Sequence, residues 1–124
     1  MLSLGLTLSG LAGCTPSAQP AALDAGTRFQ QALARGDLTA ACGWLAEPTR
    51  SRLETNSRAT CPEALAGLAL PAGPVASIEV WGGNAQARLA EGVVFLAEFS
   101  TGWRVVAAGC QARPDRPYDC AVQS

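Results

Sequence analysis

Cysteine has the widest chemistry of any side chain in this sequence, and it occurs five times in 124 residues. A thiol can be acylated, can be oxidised with a second thiol to a disulfide, or can bind a metal ion. Histidine does not occur at all. Because histidine is the commonest general acid/base, its absence excludes a Ser-His-Asp or Cys-His catalytic arrangement within this sequence. The cysteines are Cys14, Cys42, Cys61, Cys110 and Cys120.

Cys14 follows a short apolar segment. Residues 1–13 contain no charged side chain, and the first one in the chain is Asp24. A bilayer-spanning helix takes about 20 residues, so this run is too short to span, but it has the length of a signal-peptide apolar region. Its end, Leu11-Ala12-Gly13-Cys14, resembles the lipobox, the processing motif of bacterial lipoproteins.

The lipobox resemblance implies an exported, lipid-anchored protein. Residues 1–13 would be a signal peptide removed by a dedicated peptidase, and Cys14 would carry a diacylglycerol, whose two chains hold a protein firmly on a membrane. Residues 14–20 would be the lipidated cysteine and a flexible tether. We therefore expect an extracytoplasmic location with the membrane as first partner. The segment departs from the family pattern in lacking Lys and Arg, and the alternative is an apolar strand followed by an unrelated cysteine.

The other four cysteines agree with export. An even number of cysteines outside the cytoplasm favours disulfides. Of the three possible pairings, Cys42–Cys61 and Cys110–Cys120 are favoured, because each closes a modest loop between adjacent elements. Closing such loops stabilises a domain by about 3 kcal/mol each in the chain-entropy model. The alternative is a four-thiolate metal site, which usually presents close Cys-x-x-Cys pairs that this sequence lacks. We expect no metal and no cofactor.

Aromatic side chains are the candidates for a binding pocket. A pocket between helices and sheet would suit a small apolar or aromatic ligand. Trp81 precedes a Gly-Gly turn and is predicted to lie near the surface, whereas tryptophans in such a domain are more often core. The candidate pocket residues are Phe29, Trp81, Phe95, Trp103 and Tyr118.

Three acidic residues are candidates for acid/base chemistry, and each has a structural interpretation that we favour. Asp37 fits the N-cap of a helix. Glu98 lies in an apolar strand, where a buried carboxylate would have a raised pKa, but an exposed pair with Arg104 is favoured. Asp119 follows Tyr118, and such a pair can stabilise an oxyanion. We favour Tyr118 packing over the last disulfide.

The first half of the chain is predicted to be helical. Apolar residues recur at helical spacing over 22–35, and Gly36 and Asp37 suit the end of that helix and the cap of the next. Thr60-Cys61-Pro62-Glu63 is a capping box that predicts a further helix. The predicted helices are 22–35, 38–46, 48–54 and 61–68, with a polar loop over 55–59.

Strands are predicted in the second half, after Pro74. They are 75–81, 85–89, 93–100, 103–110 and 118–122. Ser100-Thr101-Gly102 predicts a three-residue hairpin loop with Gly102 in the left-handed position. That loop sets a register of four pairs, namely Phe99 opposite Trp103, Glu98 opposite Arg104, Ala97 opposite Val105 and Phe95 opposite Ala107.

Helices followed by an antiparallel meander predict an α+β domain over residues 21–124, with the N-terminal helices packed on a curved sheet. Four segments of the chain resemble a group of small actinobacterial lipoproteins. They are the helix-to-helix join at Gly36-Asp37, Cys61-Pro62, Gly102-Trp103-Arg104-Val105 and Pro117-Tyr118-Asp119-Cys120. The order of elements also resembles the nuclear-transport-factor-2-like (cystatin-like roll) superfamily. That resemblance implies a cone between helices and sheet, in which some members are isomerases or cyclases and many are binding or dimerisation modules.

Charge excludes one class of partner. The net charge is −1, all nine basic residues are Arg, and no basic stripe occurs, so nucleic-acid binding is not expected. We expect a non-enzymatic envelope lipoprotein that binds a protein partner or a small apolar ligand. A small isomerase- or cyclase-like enzyme is the alternative, and it predicts a deep cavity with an unpaired acid or tyrosine. A structural dimer formed through the open sheet face is a third possibility.

Overall fold

A computed structural model describes residues 18–115 and 117–124. Four helices precede five strands, which confirms the predicted α+β class. The helices are α1 (Gln19–Arg35), α2 (Leu38–Trp44), α3 (Glu47–Ser57) and α4 (Cys61–Leu68). The strands are β1 (Ser77–Trp81), β2 (Asn84–Arg88), β3 (Val93–Phe99), β4 (Gly102–Ala112) and β5 (Tyr118–Gln123).

Local capping chemistry sets several helix ends where the sequence predicted them. Gly36 ends α1 in the left-handed conformation, with φ 73°. The Asp37 carboxylate accepts a hydrogen bond from the Ala40 N–H at 3.1 Å and caps α2. The capping box of α4 forms, with the Glu63 carboxylate accepting from the Thr60 N–H at 3.1 Å. Each of these three signals depends on a few neighbouring residues, and the sequence alone therefore predicts these helix ends correctly.

Two helices are longer than predicted. Helix α1 begins at Gln19, three residues before the expected start, so Gln19 and Pro20 belong to the helix and not to the predicted tether. Proline is tolerated there because the first helical turn needs no N–H donor from it. Helix α3 continues to Ser57, whose hydroxyl donates to the Leu53 carbonyl at 2.6 Å, so part of the predicted polar loop is helical.

The sheet is an antiparallel meander in the order β1-β2-β3-β4-β5. The predicted register of its β3–β4 hairpin is wrong near the turn. Three pairs differ from the prediction, with Phe99 opposite Gly102, Glu98 opposite Trp103 and Ala97 opposite Arg104. The predicted pair of Phe95 with Ala107 is present.

The position of one extra residue explains the register error. The hairpin loop has two residues, and the irregularity that we placed at the turn lies inside β4, where Val106 falls between the paired Val105 and Ala107. This arrangement pairs Leu96 with Val105, and both are buried against the helices. Burial of Leu96 in place of Ala97 removes more apolar area from water, which favours the observed register.

The sheet carries an apolar cluster on each face. The inner face packs on the helices and includes Val94, Leu96, Trp103 and Val105. The outer face has a smaller cluster of Val93, Ala107 and Cys110, against which Phe95, Tyr118 and Cys120 pack, and this cluster contains no helical residue. Adjacent residues of a strand point to opposite faces, so Phe95 and Leu96 necessarily serve different clusters.

Both predicted disulfides are present. Cys42–Cys61 joins α2 to α4, with a sequence separation of 19. Cys110–Cys120 joins β4 to β5 across a directly opposed pair, with a separation of 10. The four thiols of the described domain are therefore consumed by disulfides, which overturns the alternative of a four-thiolate metal site.

Candidate functional site

The site with the most binding features is a hollow on the outer face of the sheet, here called the outer groove. Its volume is about 460 Å³, within the range of small-molecule sites. The residues that line it are Trp81, Asn84, Ala85, Phe95, Leu96, Val106, Ala107, Pro117, Tyr118, Cys120, Gln123 and Ser124.

The strand register creates this hollow. One row of directly opposed residues crosses four strands, from Gln86 to Phe95, Ala107 and Gln123. Neighbouring strands lie roughly 4.8 Å apart, so the row spans roughly 14 Å. The small Ala107 lies between the larger Phe95 and Gln123 side chains and leaves the depression between them. Trp81 is in the adjacent row, opposite Asn84, and is 50 % exposed.

Tyr118 is held in a fixed orientation at one side of the outer groove. Its ring packs edge-on against Phe95, with centroids 5.1 Å apart and an interplanar angle of 76°. The Gln86 Nε2 donates a hydrogen bond to the Tyr118 hydroxyl oxygen at 3.1 Å. Because that oxygen serves as an acceptor, the hydroxyl proton remains available as a donor to a ligand.

The described side chains that line the outer groove include polar ones but no charged one. Among the described residues that line it, none is Asp, Glu, Lys or Arg. Its hydrogen-bonding groups are the amides of Asn84 and Gln123 and the hydroxyls of Tyr118 and Ser124. An amide both donates and accepts, so these groups can pair with either kind of polar atom on a ligand. An ionic ligand would lose its hydration there without gaining a counter-charge.

The predicted pocket residues divide between the two faces of the sheet. Trp81, Phe95 and Tyr118 meet in the outer groove. Phe29 and Trp103 are 0 % and 4 % exposed and belong to the core between helices and sheet. The prediction that all five line one pocket is therefore wrong. For Phe95 and Trp103 the cause is the β3–β4 register, because a one-residue shift transfers a side chain to the opposite face.

Sequence reasoning missed the polar residues of the site. Asn84 and Gln86 alternate with Ala85 and Ala87 in β2, and neither amide is among the predicted pocket residues. The alternation itself was the available signal, since it placed both amides on the face opposite the helices. No comparable signal identified Gln123, whose place in the site depends on its pairing with Ala107.

None of the three acidic candidates lines the outer groove, and two of them make contacts that have a structural role. Asp37 caps α2. Glu98 is exposed and lies opposite Trp103, and the predicted pair with Arg104 is wrong. Arg104 instead places its guanidinium carbon 5.3 Å from the Trp44 ring centroid, a cation–π contact. Asp119 receives a hydrogen bond from Arg113 at 3.3 Å.

One carboxyl group has a shifted pKa, and it lies outside the outer groove. The Thr60 backbone N–H and then its hydroxyl, which donates at 2.9 Å, stabilise the Glu63 carboxylate and lower its pKa. This group is exposed and acts in the capping box, so its shift is a property of helix α4.

Other hollows of the described chain include three that are less suited to a ligand. One, of about 360 Å³, lies between α3, α4 and β5 and has no aromatic side chain in its lining. A second, of about 410 Å³, lies beside the β3–β4 turn and includes Glu47 together with Arg50 and Arg104. A third, of about 190 Å³, adjoins Gln30, which is 2 % exposed and has an unpaired carbonyl oxygen.

Residues 18–115 and 117–124 contain neither a cluster of metal ligands nor a helix that could span a membrane. Within these ranges, no three Cys, Asp or Glu side chains are grouped closely enough to hold a metal ion. No helix in the described part of the chain has the length and apolar character needed to cross a bilayer. Cys14 and the predicted signal peptide lie outside the described residues.

The fold and site define a small disulfide-linked α+β domain with an aromatic groove on the face opposite its helices. No family model, curated protein or solved structure matches the chain.

Proposed function

We propose that this chain is an exported, lipid-anchored binding module that holds its ligand in the outer groove without transforming it. The observation that carries the proposal is the outer groove itself, where aromatic rings and uncharged polar groups meet on a face that the helices leave uncovered. Concave, largely apolar sites with a few convergent polar groups are the usual form of ligand sites.

The disulfides support the proposed location. Disulfides persist in oxidising compartments and are rare in the cytosol. Both pairs are formed within the domain, and the lipobox resemblance at Leu11-Ala12-Gly13-Cys14 supplies an anchor. Cys14 precedes the start of α1 by five residues. A chain of that length spans at most roughly 18 Å, so the anchor would keep the domain close to the bilayer.

The packing of the inner face supports a binding role without catalysis. The isomerase alternative needs a cavity between helices and sheet, and the fully buried Phe29 and the nearly buried Trp103 occupy that space. The described lining of the outer groove offers no carboxylate to serve as a base. The Tyr118 hydroxyl can still donate a hydrogen bond to a ligand, but no carboxylate among the described lining residues accompanies it.

Two measurements test the proposal. The intact mass of protein from the membranes of its own host should begin at Cys14 with a diacylglycerol, and reduction should add four hydrogens. Native mass spectrometry of the same preparation should show a small molecule that is retained by the wild type and lost from a Trp81→Ala variant.

Other outcomes would overturn parts of the proposal. An unlipidated mass with four free thiols would overturn the location. A dimer by sedimentation that dissociates in the Trp81→Ala variant would assign the outer face to self-association and would overturn the ligand site.

A further inference from the structure

We propose that the outer groove binds a neutral saccharide, with a sugar ring against Trp81 and sugar hydroxyls paired to the groove's amides and the Tyr118 hydroxyl. This inference rests on the proposed function, because it names the ligand class of that same site. Three properties of the outer groove support it: the lack of charged side chains among its described lining residues, the mixed polarity of that lining, and the orientation of its aromatic rings.

The described lining of the outer groove disfavours two ligand classes. An anion or cation would be desolvated against described lining residues that carry no opposite charge, which is costly. A purely apolar ligand would cover Asn84, Gln123 and the Tyr118 hydroxyl and leave their hydrogen bonds unmade, which is also costly. The ligand that satisfies both conditions is uncharged and carries many groups that donate and accept.

Sugar hydroxyls match this set of groups. Each hydroxyl donates one hydrogen bond and accepts others, as the amides of Asn84 and Gln123 do. The Tyr118 hydroxyl adds a directed donor, because Gln86 Nε2 already occupies its oxygen at 3.1 Å. Gln86 is therefore a positioning residue that sets the direction of the Tyr118 proton without lining the outer groove.

The arrangement of the rings favours a sugar over a flat aromatic ligand. Phe95 and Tyr118 pack edge-to-face at 76°, so they form no parallel slot that would hold a planar ring on both sides. Trp81 is half exposed and offers its ring to solvent on the open side. The C–H groups on one face of a sugar ring carry partial positive charge and pack against the negative face of an aromatic ring.

The test uses the full chain in a zwitterionic detergent, because sugar-headed detergents would compete for the outer groove. The neutral probes are cellotetraose, mannotetraose and N,N′,N″,N‴-tetraacetylchitotetraose. A galacturonic acid tetramer serves as the charged probe, and indole serves as the aromatic one. The readout is a proton–nitrogen correlation spectrum, in which the Trp81 side-chain N–H responds directly in the wild type and the side-chain amide signals of Asn84 and Gln123 report binding in every variant, Trp81→Ala included. The side-chain N–H signals of Trp44 and Trp103 serve as internal references.

We expect at least one neutral tetrasaccharide to shift the Trp81 signal in a saturable way at millimolar concentration or below. Trp81→Ala should weaken that binding by at least about tenfold, the scale of an aromatic hot spot. Tyr118→Phe should weaken it by about fivefold to tenfold, because one hydrogen bond is lost, while leaving indole binding unchanged. Phe99→Ala is the matched control, since Phe99 is 39 % exposed and lies outside the outer groove.

The inference is overturned if no neutral tetrasaccharide shifts the Trp81 signal, or if Trp81→Ala binds as the wild type does. Tighter binding of the galacturonic acid tetramer or of indole would also overturn it. Indole binding that is lost in Trp81→Ala would leave the proposed ligand site in place and remove only the saccharide. A folded spectrum of each variant, judged by the unshifted Trp44 and Trp103 signals, separates lost binding from lost structure.

Discussion

Removal of the disulfides should reveal how far this domain depends on an oxidising compartment. The separations of 19 and 10 residues give the entropy that each cross-link removes from the unfolded chain. In the chain-entropy model these correspond to about 3.2 kcal/mol for Cys42–Cys61 and about 2.7 kcal/mol for Cys110–Cys120. Domains of this size have unfolding free energies of roughly 5–15 kcal/mol, so the loss of both is comparable to the whole stability.

The assay is urea unfolding of the full chain with each pair replaced in turn by alanine, and with both pairs replaced. We expect each single removal to lower the unfolding free energy by about 2–4 kcal/mol, and the Cys42–Cys61 removal to cost more. The denaturant slope should rise in each case, because the unfolded chain without a cross-link exposes more surface. The double removal should leave a domain that is largely unfolded at 37 °C. A loss below about 1 kcal/mol for the double removal would refute the reasoning.

Three further predictions concern stability. Gly92→Ala should lower the unfolding free energy, measured with urea, by about 2–4 kcal/mol, because φ is 92° and the new Cβ would lie 2.6 Å from a β4 carbonyl oxygen. The control Gly82→Ala, where φ is 60° and the space around the new Cβ is open, should lower it by only about 1–2 kcal/mol. Equal losses in the two variants would contradict the predicted clash at Gly92. Phe29→Ala should cost about 3–5 kcal/mol because that ring is fully buried, whereas the exposed Phe99→Ala should change stability by under about 1 kcal/mol; a small effect at Phe29 would place the core elsewhere. The lowered pKa of Glu63 means that its carboxylate stabilises the fold at pH values above the ordinary pKa of a carboxyl group, and that this contribution is lost as the pH falls through the lowered pKa. The unfolding free energy of Glu63→Gln should therefore differ most from that of the wild type at neutral pH, and the two values should converge in acid. A difference in unfolding free energy that does not depend on pH would count against the capping role.

The features that the sequence predicted correctly all depend on short-range chemistry. The end of α1 at Gly36, the Asp37 cap and the start of α4 at Cys61 each need only a few neighbouring residues. The disulfide pairing also followed from proximity along the chain, because Cys42–Cys61 and Cys110–Cys120 close the shorter loops.

The features that the sequence did not predict depend on pairing between strands. The hairpin between β3 and β4 has two consistent registers at its turn, and the choice is made by burial of Leu96 on the inner face. No local signal marks Val106 as the unpaired residue. The error then spread to the site, because the face on which Phe95 and Trp103 lie follows from the register.

The meander order of the sheet has a consequence for how this protein folds. Every strand pairs only with the strand before or after it in the chain, so each addition closes a short loop. Such a sheet can grow strand by strand behind the helices, without waiting for a distant segment. The Cys110–Cys120 bond includes β5, the last strand in the chain. That covalent bond therefore holds the edge strand β5 to its neighbour β4 through a directly opposed pair, so the edge of the sheet cannot separate while the disulfide is intact.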